Sequence, residues 1–155
     1  MIGVGQEFPY FVKNGVDCEN HLGEVAYDDF RGWKVYYFYP KDFTFICPTE
    51  IKGMDMLTPE ASVVGFSGDN EFCKLAWKEN NELISDIQHT LACDSGLELS
   101  KTLGIYDKLN GVCYRATYIV DPDGIIAHMS VNRDDTGRNA SEILRTLQAL
   151  KAGGL

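Results

Sequence analysis

Apolar residues fall along this chain in short runs with period two and in stripes with period 3.6, and Pro, Gly and Asn separate them. Phe8–Val12 reads as a short first strand. Lys34–Tyr39 (KVYYFY) is β-branched and aromatic, the composition of a strand, and it stops at Pro40. Pro48 then suits the first position of a helix, where its missing N–H leaves nothing unpaired, and Thr58-Pro59 keeps that helix short. Val63–Phe66 is a brief buried strand. Asp69 or Asn70 caps a helix that runs to about Asn80, with Phe72, Leu75 and Ala76 on one face and Cys73 and Trp77 beside it. Leu91–Cys93 is a further short strand, and Ser95 with Glu98 has the spacing of a capping box. Tyr114–Val120 and Ile125–Val131 are strands joined by the turn Asp121-Pro-Asp-Gly124. Asn139, with Glu142 three residues on, opens a last helix whose stripe is Ile143, Leu144, Leu147 and Leu150; Gly153-Gly154 ends it.

Strands and helices alternate early, and a hairpin followed by a helix comes late. That order predicts an α/β protein with a central mixed β-sheet flanked by helices. It fits a thioredoxin-like fold with extra N-terminal strands, as a single domain spanning residues 1–155. A chain of this length buries roughly 70% of its unfolded surface and needs no staples.

Composition narrows the partners. Hydrophobic residues are 45% and charged residues 24%, as in ordinary globular proteins. A net charge of −9 argues against nucleic acid or an anionic membrane surface. No apolar run is long enough to span a bilayer, and Met1–Pro9 lacks the pattern of a secretory signal, so a cytoplasmic protein is expected.

Five cysteines are present: Cys18, Cys47, Cys73, Cys93 and Cys113. None forms a Cys-x-x-Cys pair and no His-x-x-x-His exists, so no metal site is expected. Free cysteines ordinarily pack as small hydrophobes in a reducing compartment, and Cys18, Cys73, Cys93 and Cys113 fit that description. Cys47 differs. It sits at a strand-to-helix junction in PKDFTFICPTE, with Pro40 and Thr44 before it and Pro48 and Glu50 after. The first turn of a helix offers unpaired N–H groups and about half a positive charge, which stabilises a sulfur held there as the anion. Thr44 can set a hydroxyl beside that sulfur, Pro40 and Pro48 fix the loop, and Arg115 is the leading arginine to complete the site. A peroxide suits such a site: sulfur attacks the weak O–O bond and becomes a sulfenic acid, while donors meet the charge on the leaving oxygen.

The loop resembles the active-site loop of the peroxiredoxins, whose core pattern Pro-x-x-x-Thr-x-x-Cys is matched by Pro40, Thr44 and Cys47. Asn70–Trp77 (NEFCKLAW), Arg115–Gly124 (RATYIVDPDG) and Gly137–Leu150 resemble other stretches of the family. The last is similar to the final helix of the alkyl hydroperoxide reductase subgroup, a typical two-cysteine group. The resemblance runs from about Gly5 onward. It implies an antioxidant peroxidase with Cys47 as redox-active centre, Arg115 as its guanidinium partner and Pro40 and Thr44 shaping the pocket. Glu50 and Arg138 would orient Arg115. It further implies a hydroperoxide substrate, an external thiol or disulfide reductase as electron donor, no cofactor, and a homodimer or a ring of dimers such as a decamer. The chain departs from the subgroup in two ways: it is about five residues shorter between Cys47 and Gly65, and no resolving cysteine follows Cys113 before Leu155. The sulfenic acid is therefore expected to persist or to turn to an external thiol.

Two other functions compete. A thioredoxin-like disulfide oxidoreductase would use the same fold but needs a second cysteine, where this chain has Glu50. A ring-forming holdase or scaffold would rest on Ile125–Val131 as a pairing edge.

Overall fold

Strands β1 (Val12–Val16) and β2 (Leu22–Ala26) form an antiparallel hairpin ahead of the central strand β3 (Lys34–Phe38) in the computed structural model, which describes residues 1–44, 47–133 and 137–153. Helix α1 (Cys47–Met54), β4 (Ser62–Ser67), α2 (Glu71–Asn80), β5 (Thr90–Cys93) and α3 (Glu98–Leu103) follow. After them come the two-residue strands β6 (Tyr106–Asp107) and β7 (Val112–Cys113), then β8 (Arg115–Val120), β9 (Ile126–Asn132) and α4 (Ala140–Ala152). Seven strands join in one mixed sheet, in the order β2-β1-β5-β4-β3-β8-β9. β3, β4 and β5 run parallel, and the other pairings are antiparallel.

The alternation of β3 builds two cores. Tyr36 and Phe38 face a layer with Phe8, Phe11, Leu99, Leu103, Tyr118 and Val120. Val35, Tyr37 and Tyr39 face the other, with Cys47, Ile51 and Met54 of α1, Trp77 of α2 and Ile143 and Leu147 of α4. A strand buried on both faces needs helices or coil on both sides, which is why KVYYFY carries no exposed polar residue. Gly65 on β4 makes room for this packing: a Cβ there would lie 2.5 Å from Cζ and Oη of Tyr37.

The structure corrects the expected elements in four places. Phe8–Val12 is not a strand. Its rings instead pack on Tyr36, with centroids 4.7 Å from Phe8 and 5.4 Å from Phe11, and the strand begins at Val12. The hairpin partner Leu22–Ala26 escaped notice because LGEVA shows no alternation of apolar and polar residues. On α2 the buried face is not Phe72, Leu75 and Ala76; Phe72 is 64% exposed, whereas Lys74, Trp77 and Lys78 are buried. The lysines go inside because each ammonium finds acceptors there, such as the Asp17 carbonyl at 2.9 Å from Lys78 Nζ. The capping box of Ser95 and Glu98 does not form. Asp94 accepts from the amides of Leu99 and Ser100, both at 2.8 Å, and Ser95–Leu97 is a 3-10 turn.

Elsewhere the expected caps are present. Asn70 accepts from Cys73 N at 2.8 Å, and Asn139 from Glu142 N at 3.3 Å. On α4, Ile143 and Leu147 are buried and Leu144 and Leu150 half-buried. Gly153 follows the helix, and Gly154 lies outside the described residues. Helix α1 is short as expected, passing into a 3-10 turn at Asp55–Leu57 before Thr58. Among the described residues no helix is long and apolar enough to cross a membrane.

Candidate active site

Register brings the site together. β8 runs antiparallel to β3 with Ala116 opposite Phe38, so Arg115, the first residue of β8, lies level with the end of β3, where the loop toward Cys47 leaves the sheet. Cys47 is the first residue of α1 and is fully buried. Arg115 Nη1 lies 3.4 Å from its sulfur. The same nitrogen donates to both oxygens of Glu50, at 3.1 and 2.9 Å. Glu50 stands one helical turn after Cys47, which puts carboxylate and sulfur on the same face of α1.

Arg138, just before α4, completes the constellation. Its Nε donates to Glu50 Oε2 at 3.1 Å and its amide to Glu50 Oε1 at 3.2 Å. Its Nη1 donates to the Ala116 carbonyl at 2.8 Å and to Thr117 Oγ1 at 2.9 Å, and Nη2 donates to the Phe38 carbonyl. The guanidinium also lies over the Tyr37 ring, 4.9 Å from its centroid. One arginine thus ties α1 to β3 and β8, and the other reaches the sulfur. Burial works against the Arg115 charge, but its hydrogen bond to Cys47 and its attraction to Cys47 and Glu50 outweigh that and hold its pKa above the ordinary arginine value. Pro40 is half-buried at the start of the loop. Thr44 is half-buried as well, and its hydroxyl donates to the Lys41 carbonyl at 3.0 Å, a tie within the loop itself.

A buried thiol beside a fixed arginine, within a thioredoxin-like sheet, has a match among known proteins. The profile of the AhpC/TSA family matches residues 4–129. The chain belongs to the AhpC/TSA family. It is 34% identical to an alkyl hydroperoxide reductase C of Mycolicibacterium smegmatis, over 100% of this chain and 88% of that protein. It is 36% identical to a chloroplastic 2-cysteine peroxiredoxin of Chattonella marina, over 97% of this chain and 81% of that protein. The crystal structure of Enterococcus faecalis AhpC superposes with a TM-score of 0.92 at 30% identity, covering 98% of this chain and 94% of that one.

Within this AhpC/TSA member the other cysteines behave as packing residues. Cys93 and Cys113 are buried, and burial pushes both thiols up to about 12. Cys113 donates to the Tyr39 carbonyl at 3.1 Å and Cys93 to Glu71 Oε2 at 3.6 Å. Cys73 is raised as well, chiefly by burial. Cys18 is exposed.

Beneath the site runs a hydrogen-bonded chain that no sequence pattern announces. Tyr37 Oη lies 2.7 Å from His89 Nε2, and His89 Nδ1 lies 2.6 Å from Asp55 Oδ1, directly after α1. A neutral His89 that donates from Nδ1 and accepts at Nε2 satisfies all three groups. None of them belongs to a sequence motif. Burial lowers the pKa of His89, with Asp55 opposing and Lys78 and Lys52 assisting. The folded protein therefore keeps His89 neutral to lower pH than the unfolded chain, which takes up its proton near about 6.5. The stability involved is complete above that value and is lost as pH falls toward the lower folded-state pKa. Thermal melts are expected to show a drop in Tm below about pH 6.5 that is shallower in His89→Gln; equal slopes in the two proteins would remove His89 from the account.

Proposed function

We propose that this protein reduces hydrogen peroxide and small alkyl hydroperoxides at Cys47. It is a thiol-dependent peroxidase. The contact of Arg115 Nη1 with the buried Cys47 sulfur, held in place by Glu50, carries the assignment. The Cys47 thiolate attacks one peroxide oxygen; the S–O bond forms as the O–O bond breaks, and the departing oxygen takes a proton to leave as water or alcohol. Arg115 stabilises the negative charge that develops on that oxygen, and a guanidinium already fixed by a carboxylate needs no reorganisation to do so. The Cys47 amide supplies a further donor; Thr44, whose hydroxyl donates to the Lys41 carbonyl, and Pro40 shape the loop, and Glu50 and Arg138 orient Arg115. The sulfenic acid is returned to the thiol by two equivalents of an external thiol or by a disulfide reductase: the first forms a mixed disulfide with loss of water, and the second releases Cys47. The chemistry needs no cofactor.

Edge strand β9 and its apolar residues support pairing with a second copy, as a homodimer or a ring of dimers. Five free thiols among the described residues fit a reducing, cytoplasmic setting. A disulfide exchanger is disfavoured because Glu50, which would have to be the second cysteine, is committed to both arginines. With dithiothreitol present, the protein is expected to consume peroxide at a rate proportional to its concentration, while insulin reduction stays at the rate dithiothreitol alone gives. Accelerated insulin reduction without peroxide consumption would reverse the assignment.

A further inference from the structure

Beneath the loop lies a buried ion pair that the peroxidatic chemistry does not use. Lys74 on α2 is fully buried. Its Nζ donates to Ser67 Oγ, to Tyr39 Oη at 3.2 Å and to the Asp42 carboxylate at 3.2 and 3.3 Å. An ammonium has three protons, and three groups receive them. Asp42 Oδ1 in turn accepts from Tyr39 Oη at 2.7 Å and from Ser67 Oγ at 2.9 Å. Lys74 only donates, Asp42 only accepts, and each hydroxyl does one of each, so the direction of every hydrogen bond in the cluster is fixed. The Asp42 amide donates to Asp69 Oδ2 at 2.7 Å.

Asp42 is a loop residue, lying between Pro40 and Thr44. The cluster fastens that loop from below to Tyr39, the residue after β3, to the end of β4 (Ser67) and to α2 (Lys74). The next residue, Phe43, holds a left-handed φ of 59°, a conformation that a non-glycine residue keeps only when its surroundings enforce it. Its ring lies 5.9 Å from that of Trp77, one turn along α2 from Lys74.

We propose that Lys74 is a positioning residue of the peroxidatic loop: as the counter-charge of Asp42, it holds the backbone that sets Thr44 and Cys47 against the substrate. This rests on the peroxidase assignment above. Without the cation, the Asp42 carboxylate has no charge partner in the interior, and it leaves for water, carrying the loop with it. A displacement of about 1 Å in a reacting group costs on the order of 10²-fold.

The test compares wild type, Lys74→Met and the double variant Lys74→Met/Asp42→Asn, in which the pair is made neutral and the two hydroxyls can still donate to residue 42. Stopped-flow oxidation by hydrogen peroxide is expected to slow by about 10- to 100-fold in Lys74→Met and to recover to within about threefold of wild type in the double variant. Amide hydrogen exchange over residues 41–44 is expected to rise in the single variant and return in the double. A folded Lys74→Met at the wild-type rate overturns the proposal. So does a double variant as slow as the single one, since Lys74 would then act through something other than Asp42. If Lys74→Met does not fold, the double variant decides alone: near wild-type rate supports positioning, and a slow or unfolded protein makes Lys74 a folding residue instead. The exchange measurement does not depend on peroxide chemistry, so a wild type inert to peroxide would sink the peroxidase assignment and leave the loop question answerable.

Discussion

Replacing Cys47 with Ser is expected to abolish peroxide consumption, with a fall of at least about 10³-fold in a residual-peroxide assay run with excess thiol. A hydroxyl is scarcely ionised at neutral pH and does not attack an O–O bond, whereas the change from sulfur to oxygen is small enough to leave the packing intact. Cys47 is enclosed by the layer that contains Tyr39 and Ile51. The loss of packing there should stay within about 1 kcal/mol, so a melt of the variant close to wild type would show that chemistry and not folding was removed. Turnover that survived the substitution would move the reaction to another thiol. Cys18 is exposed, whereas burial holds the thiols of Cys93 and Cys113 up at about 12, so Cys18 would be the first to test.

Arg115→Met carries the second largest expected effect, a loss of about 10²- to 10³-fold in the second-order rate with hydrogen peroxide, read by stopped flow. The side chain supplies a preorganised cationic donor 3.4 Å from the sulfur, and methionine fills similar space with no donor at all. The fold should tolerate the change because Glu50 keeps Arg138, through Nε at 3.1 Å and the amide at 3.2 Å. Arg115→Lys should fall between the two, since an ammonium keeps the charge but not the planar guanidinium whose Nη1 meets sulfur and carboxylate together. A rate within about threefold of wild type in Arg115→Met would mean that the guanidinium is structural and that other donors meet the leaving oxygen.

Local signals were legible wherever one residue or one period dictates the outcome. Asn70 and Asn139 announce helix starts because an Asn side chain can accept the orphan amides of a first turn. The aromatic run of β3 announces a strand buried on both faces. Those signals failed where partners distant in sequence changed the balance. Lys74 and Lys78 belong on the wet face of α2 by composition, yet Asp42 and the Asp17 carbonyl draw them inside and leave Phe72 exposed. Ser95 has the spacing of a cap, yet Asp94 takes the amides. The hairpin of β1 and β2 is stabilised mainly by pairing along the sheet, which leaves little trace in apolar periodicity.

By itself, the sequence determined the candidate nucleophile, its loop and the helix that begins at it, because Pro40, Thr44, Cys47, Pro48 and Glu50 are close neighbours in the chain and act through local backbone geometry. It also offered Arg115 and Arg138 as candidates. Only the tertiary structure decided that the two arginines share one carboxylate while a single one of them reaches the sulfur. That division is set by the register of β8 on β3, which places Arg115 at the loop and lets Arg138 hold the sheet through the Ala116 and Phe38 carbonyls. Strand register is a property of two segments together, so neither segment alone could reveal it.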